Sequence, residues 1–390
     1  MRVLTFTSLF PNNVQNNLGG FIARRMSCWA ELYASKWVTV APVPYFPKLP
    51  VNSPWKIYSG VNQLECFKKW EVYHFRYLML PAIGLPIQGQ SMAACTIPKL
   101  KKLMIEKGPF DLIDAHFIYP DAFAAMKISR KFKIPFVVTA RGSDINYYSQ
   151  IKAVRPKIKA VLKNADAIIG VSADLIEKMI SLGASENRCH HIPNGVDSRQ
   201  FCSIQNTTEK KPLRVLLAVG NLVPEKGFEI LLKAISLIEP EYPDIMLKIA
   251  GSGPKLEYLA QLCKNLMIEK NVQFVGQVRH QDIHTLFQES GIFCMSSLRE
   301  GNPNVVLEAL STGIPVVSTP VGGVPELIYQ NMNGLISPDF SSRNFAQTLK
   351  QALKQIWSNV KIRNTVSDRT WENVAGELQD VFEKVSQNIH

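Results

Sequence analysis

The sequence predicts an α/β protein made of two doubly wound, parallel-sheet domains in series, and three observations lead there. Short, nearly continuous apolar runs alternate with helical patterns along most of the chain. A polar stretch near residue 206 separates two such series, and 390 residues are too many for one ordinary core. The composition, 46% hydrophobic and 19% charged with 19 Phe and 6 Trp, supplies apolar material for two cores and excludes a disordered chain. The two sheets are expected to face each other across a deep cleft, because open α/β sheets bind ligands beyond the carboxyl ends of their strands.

The first series holds the strand-like runs VLTFTSL (3–9), DLIDAHF (111–117), IPFVVTA (134–140) and DAIIGVS (166–172), with helical patterns at 119–132 and 172–183. The opening run carries one positive charge and reaches Pro11 without a small-residue cleavage pattern, so it reads as a buried strand, not a signal peptide. The second series begins with LRVLLAVGN (213–221) and continues through IMLKIAGSG (245–253), VQFVGQV (272–278), GIFCMSS (291–297) and PVVSTP (315–320), with helical stretches between them. The junction falls in the polar segment 194–214, giving domains 1–205 and 206–370. A last helical pattern, with Trp371, Val374, Leu378, Val381, Phe382 and Val385 on one face, remains after the second sheet is complete. This helix, within 371–390, is expected to pack back on the first domain.

The seven cysteines are scattered, with no CxxC pair and no zinc-ligand spacing, which fits a reducing compartment. No stretch approaches the roughly 18 to 20 apolar residues of a membrane span. The expected location is cytoplasmic, with peripheral association on the cytoplasmic face of the inner membrane as an extension. The net charge of +12 is uneven: residues 1–200 carry 26 Lys and Arg against 13 Asp and Glu, and the remainder 18 against 19. That predicts a basic face on the first domain, suited to an anionic membrane surface or an acidic substrate, with an idle solvated surface as the plain alternative. Nucleic acid is disfavoured, because the charges are dispersed and no recognition motif accompanies them.

The segment SLREGNPNVVLEALSTG (297–313) reads as strand, loop and helix. Arg299, Glu300 and Gly301 precede the helix, Asn304 is expected to cap it, and the N–H groups near Asn304 and Val305 would form an anion site. Glu300 lies before the helix and Glu308 inside it. Carboxylates beside a phosphate suit hydroxyl partners, which points to a nucleotide sugar; two solvated surface acids are the plain alternative. VGNLVPEKG (219–227) ends a strand, passes Gly220 and Asn221, and places Lys226 before a helix, where it can grip a diphosphate; an ordinary loop with a solvated lysine is the alternative. Gly251 and Gly253 in the next strand-turn-helix would let a base or ribose approach the backbone. This turn is not the dinucleotide fingerprint of a first strand, so an NAD dehydrogenase loses ground. In the first domain Gly19 and Gly20 precede a helix and read either as a loop that closes over phosphate or acceptor or as a plain turn. His116 ends a strand, where it either meets a sugar or phosphate or is a satisfied core histidine. Arg141 is assigned an anionic group and Asp144 a hydroxyl, while Ser172 reads first as a helix cap.

Together these residues resemble the retaining glycosyltransferases of family 4, of GT-B fold, over nearly the whole chain. The strongest part is the acid, seven residues, acid motif from Glu300 to Glu308, beside IPNGVD (192–197), the EKG turn and STGIPVVSTPVGGVPELI (311–328). The chain looks especially like the teichuronic acid, lipopolysaccharide and exopolysaccharide enzymes. The resemblance implies an N-terminal acceptor domain, a C-terminal nucleotide-sugar domain, and transfer of a sugar from a UDP- or GDP-sugar to a hydroxyl of a glycan or lipid-linked acceptor with configuration retained. It implies that Glu300 contacts the donor sugar, Glu308 the ribose, and the N–H groups of Asn304 and Val305 the diphosphate. Lys226 would hold phosphate, His116 would touch the sugar, and Gly20 would lie near the phosphates. Asn221 departs from the pattern, since many relatives carry Arg there. An uncharged amide cannot neutralise phosphate, so Arg299, Arg141 or another base would substitute. No tightly bound cofactor and no essential metal are expected, since no DxD counterpart is found. The rival readings are a nucleotide-sugar epimerase of the same fold and a noncatalytic nucleotide-sugar-binding protein.

Overall fold

A computed structural model describes residues 1–46, 54–79, 84–202 and 214–387. The chain divides into two compact units, Met1–Asn194 with Trp371–His390, and Gly195–Thr370. The junction expected at 205 and 206 lies outside the described residues; so do residues 80–83 of the run RYLMLPAIGLPIQG (76–89), an apolar, Pro-interrupted segment that reads either as a dip into lipid headgroups or as a buried loop.

The strands of the first unit are β1 Arg2–Phe6, β2 Lys36–Val40, β3 Val43–Pro44, β4 Leu64–Phe67, β5 Trp70–Tyr73, β6 Arg76–Tyr77, β7 Leu112–His116, β8 Phe136–Ala140, β9 Ala167–Gly170 and β10 Cys189–His191. Eight of them form one sheet in the order β10-β9-β8-β7-β1-β2-β5-β4, parallel except for the β4–β5 hairpin; β3 and β6 form a small parallel pair. The buried strands β1, β7, β8 and β9 are rich in Val, Ile and Ala, as a sheet covered on both faces requires. The chain winds outward from β1 in one direction and from β7 in the other, so the switch point lies between the ends of β1 and β7.

The helix Gly20–Leu32 covers one face of this sheet, and the final helix, Trp371–Gln387, packs against it. The packing is specific: Trp29 meets Phe382 edge to face with centroids 5.3 Å apart and donates its indole N–H to Gln379 at 2.8 Å. The C-terminal helix thus completes the first unit's core, with Trp371, Val374, Leu378 and Phe382 buried beside Val3, Ile22 and Met26.

The second unit holds β11 Val215–Val219, β12 Met246–Ala250, β13 Val272–Gly276, β14 Ile292–Met295, β15 Val316–Ser318 and β16 Gly334–Ile336, all parallel, in the order β13-β12-β11-β14-β15-β16. Its switch point lies between β11 and β14. Both units are therefore Rossmann-like parallel-sheet domains, as the alternating apolar runs predict.

Candidate active site

In the second unit the two loops that leave the switch point carry the two motifs. After β11 the chain turns through Pro224–Lys226 and enters the helix Phe228–Ile238; after β14 it passes Ser297 to Pro303 and enters the helix Asn304–Thr312. Lys226 Nζ lies 2.6 Å from Glu300 Oε1, and the Ser297 hydroxyl donates to the same oxygen at 2.7 Å. The loops are also tied through the backbone, with Leu298 N–H donating to the Glu225 carbonyl at 2.8 Å. Gly227 sits in the left-handed region at φ +58, where a Cβ would lie 2.1 Å from the Ser296 carbonyl oxygen. Only glycine allows this approach, and it fixes Lys226 opposite Glu300.

Glu308 is buried, and its carboxylate lies 2.9 Å from His280 Nε2. His280 follows β13 and stands against the Phe201 ring, with centroids 5.6 Å apart. Sequence reasoning missed it, and its only signal is a position just beyond a strand end. Asn304 does not cap its helix as expected: Pro303 is the N-cap, with no side-chain cap hydrogen bond, and Asn304 is the first helical residue. Proline suits that boundary because its fixed φ is extended-compatible and it has no N–H to satisfy. Val306 N–H is drawn back to the Pro303 carbonyl at 3.0 Å. Gly323 N–H donates to the Gly301 carbonyl at 2.7 Å, joining the second glycine pair to this loop. Arg299 and Asn221 are exposed.

Gly251 and Gly253 have a packing reason that differs from the expected approach of a base. A Cβ on Gly251 would lie 1.9 Å from the Gly220 carbonyl oxygen, and one on Gly253 2.6 Å from that of Leu222. These glycines let the loop after β12 nest against the loop after β11, where Leu222 N–H donates to the Ser252 carbonyl at 2.9 Å.

In the first unit the ends of β7 and β8 hold a buried network. Arg25 Nη2 donates to Asp114 Oδ1 at 3.2 Å and to Thr139 Oγ1 at 3.1 Å, and Asp114 Oδ2 lies 2.8 Å from His116 Nε2. Arg141 Nη2 stands 2.7 Å from His116 Nδ1, and its Nη1 donates to Asn194 Oδ1 at 2.9 Å. A guanidinium only donates, so Nδ1 is the acceptor and Nε2 carries the proton given to Asp114. His116 is thus a neutral imidazole with both nitrogens engaged, and it is fully buried. Burial lowers its pKa to about 3, and the two arginines add to that against the pull of Asp114. Burial alone would raise the Asp114 carboxyl, but His116 and Arg25 hold it at about 2. Burial and then the neighbouring Arg25 disfavour the charge on Arg141, whose guanidinium also lies 4.9 Å from the Phe21 ring centroid.

Asp144 does not offer its carboxylate to a hydroxyl as expected. It is fully buried and accepts backbone N–H groups from Ile118 at 2.9 Å, Gly142 at 2.8 Å, Arg141 at 3.1 Å and Ile145 at 3.2 Å. Those bonds make it the clasp of its own turn. Gly20 begins the helix Gly20–Leu32 with open space around its missing Cβ. Its neighbour Gly19 is the constrained residue, at φ +63 and in backbone contact with Leu9. Ser172 caps its helix, accepting from Leu175 N–H at 3.4 Å.

Arg25, Asp114 and Asp121 escaped the sequence reading. Arg25 shares a helix face with buried Ile22 and Trp29, and Asp114 interrupts a fully buried strand; a charge in an apolar register is the signal that marks both. Asp121 is buried at the switch point, where Ser8 at the end of β1 donates both its N–H and its hydroxyl to the carboxylate. Burial raises its pKa to about 7 despite those bonds. Among the described residues, no group of three or more His, Cys, Asp or Glu is placed to hold a metal ion. Among the described residues no cysteine forms a disulfide, and no described helix is long and apolar enough to cross a membrane.

Residues 202–368 match the family described as glycosyl transferases group 1, and residues 71–200 match glycosyltransferase family 4. The TuaC protein of Bacillus subtilis, named as a teichuronic acid biosynthesis glycosyltransferase, is 28% identical over 97% of this chain and 95% of its own. One component of the human phosphatidylinositol N-acetylglucosaminyltransferase is 31% identical over 50% of this chain and 41% of its own. Among solved structures, the lipopolysaccharide outer core galactosyltransferase WaaB superposes with a TM-score of 0.70 at 16% identity, over 98% of this chain and 99% of its own. Sucrose-phosphate synthase from Thermosynechococcus elongatus gives 0.73 at 17% identity, over 100% and 97%. The two family matches take one unit each and fall on two parallel sheets with paired motifs at the second switch point: the chain is a GT-B-fold glycosyltransferase, related to family 4 and to enzymes of teichuronic acid and lipopolysaccharide biosynthesis.

Proposed function

We propose that the protein transfers a hexosyl unit from a UDP- or GDP-sugar to a hydroxyl of a glycan or lipid-linked acceptor in cell-surface polysaccharide assembly, retaining the anomeric configuration. The observation that carries this reading is the Lys226–Glu300 contact of 2.6 Å at the switch point of the second sheet. An arriving diphosphate competes with the Glu300 carboxylate for the ammonium. Lys226 then stabilises the negative charge that grows as the glycosidic bond breaks. Glu300, still held by Ser297, is left to accept the hydroxyls of the donor sugar. Glu308, oriented by His280, accepts ribose hydroxyls. The N–H groups at Asn304 and Val305 add their dipoles to the diphosphate site.

The first unit supplies the acceptor side. His116 acts there as a positioning residue through Arg141 and Asp114, because its own nitrogens are committed. Retention is assigned to attack from the face the diphosphate leaves, with the departing phosphate oxygen taking the acceptor proton. Glu300 positions the donor and is not a covalent nucleophile in this scheme. The relatives named for teichuronic acid and phosphatidylinositol support a cell-surface or lipid-linked acceptor.

The test is a thermal-shift panel of UDP-, GDP- and ADP-sugars, followed by acceptor screening with the donor that stabilises most. Glu300→Gln should keep donor binding within a few fold and lower turnover by about 100-fold or more. Near-normal turnover in that variant would remove its role.

A further inference from the structure

The chain's net charge is concentrated in three short segments. Residues 99–107, 127–133 and 152–163 carry 13 Lys and Arg and a single acid, Glu106, so these 28 residues hold an excess equal to the +12 of the whole protein. The segments are far apart in sequence, but the fold brings them together. The helix Gln88–Lys107 packs on Phe123–Phe132, and that helix packs on Arg155–Asn164. Buried residues of all three, including Leu100, Leu103, Met126, Ile128, Ile158 and Val161, join one core on the same side of the first sheet. Their opposite faces therefore form one outer surface. Arg130 bridges two of the helices there, donating to Asn164 Oδ1 at 2.9 Å. Eleven of the thirteen basic residues are exposed, and Lys127 and Lys157 are half-buried.

We propose that this three-helix face docks the enzyme on a bilayer rich in anionic phospholipid headgroups. The inference rests on the lipid-linked acceptor reading above and assigns the surface that would bring the enzyme to it. Like charges packed this densely repel one another, and a polyanionic surface is what offsets that cost. Ile105 favours a membrane over a nucleic acid. It is 77% exposed, and Lys101 and Lys102 stand one helical turn before it on the same helix. An apolar side chain between lysines fits the boundary of headgroups and acyl chains, whereas a phosphate backbone offers it no partner.

The experiment is cosedimentation of the full chain with vesicles of phosphatidylglycerol and phosphatidylcholine, compared with phosphatidylcholine alone, at low and high salt. Each basic residue near such a surface contributes about fivefold in affinity, so Lys101→Glu, Lys102→Glu, Lys131→Glu and Lys159→Glu together should weaken binding by at least about 100-fold. The same number of reversals in the second unit, at Lys233, Lys264, Arg343 and Lys361, should have little effect. Ile105→Ser should lower vesicle binding by about tenfold. Milder Lys→Gln replacements at the same four positions serve if the reversed variant does not fold. Unchanged vesicle binding in the first-unit variant, an equal loss in the second-unit variant, or tighter binding to duplex DNA than to vesicles at matched phosphate would each overturn the proposal. Binding of UDP and of GDP measured on the same samples separates the two readings. Vesicle binding without binding of either nucleotide defeats the proposed donor site and leaves the surface standing, and the reverse result defeats the surface alone.

Discussion

Asp114→Asn is the substitution that tests the buried network most directly. Asp114 uses its two oxygens for two different donors, Arg25 Nη2 at 3.2 Å and the His116 N–H at 2.8 Å. An asparagine of the same shape has one acceptor, so one of those donors would face an amide N–H. The change also removes the carboxylate between two buried guanidinium groups, Arg25 and Arg141. A buried donor without a partner costs about 1–3 kcal/mol, and breaking a buried ion pair by removing one member costs about 3–5 kcal/mol. These overlap at this site, so the expected loss is about 3–5 kcal/mol in the stability of the first unit. Tryptophan fluorescence in urea reads that unit well, because five of the six tryptophans, at 29, 37, 55, 70 and 371, lie in it. Arg25→Gln should also destabilise, but the double variant should lose less than the sum of the singles, since each single leaves an unpaired group that the double does not. A loss under about 1 kcal/mol for Asp114→Asn, or full additivity, would refute the charge pairing.

Three further predictions follow from other groups. Asp121 has its carboxyl raised from 3.8 to about 7, so the folded state keeps a proton that the unfolded chain releases. Its contribution is fully present below pH 3.8 and is lost as pH rises to 7; between pH 5 and 8 the wild type should lose about 2–3 kcal/mol that Asp121→Asn does not. Equal pH slopes for the two proteins in urea unfolding would count against burial as the cause. Lys226→Ala should weaken UDP by about 10- to 100-fold while leaving uridine nearly unchanged, as calorimetry can measure; equal losses for both ligands would place the lysine away from phosphate. Gly227→Ala must either hold a left-handed alanine or move its Cβ from 2.1 Å off the Ser296 carbonyl. It should cost about 2–4 kcal/mol and weaken UDP as well, and a stability loss below 1 kcal/mol would show that the loops part easily.

The difference between what was legible and what was hidden has a physical origin. Lys226 and Glu300 could be found because each sits where an apolar run stops at glycine or proline, and a parallel sheet puts such points at one edge. Their pairing could not be read, since it requires β11 and β14 to be neighbours, and strand order is absent from the alternation of runs. The Asn304 cap failed for a local reason: proline one residue earlier already fixes the boundary. His116 ends a strand and Asp144 lies just past one, but sequence does not show whether a polar group at such a point is already satisfied by protein. For Asp144 four backbone N–H groups surround it, and for His116 the partners are Asp114 on its own strand and Arg141 just past the neighbouring one.

The two units use charge in opposite ways, and that contrast orders the experiments. In the second unit Lys226 and Glu300 remain partly open, with side chains 27% and 12% exposed, so an anionic ligand can enter and exchange partners with them. In the first unit Arg25 and Asp114 are sealed, at 1% and 0%, and His116 is held neutral between them and Arg141. A sealed network of that kind contributes rigidity to the strand ends, and its loss should register in unfolding before it registers in nucleotide affinity. If Asp114→Asn lowers UDP affinity without lowering stability, the proposed division of labour between a responsive donor site and a fixed acceptor scaffold is wrong. If stability falls and UDP affinity holds, turnover should suffer on the acceptor side proposed for the first unit.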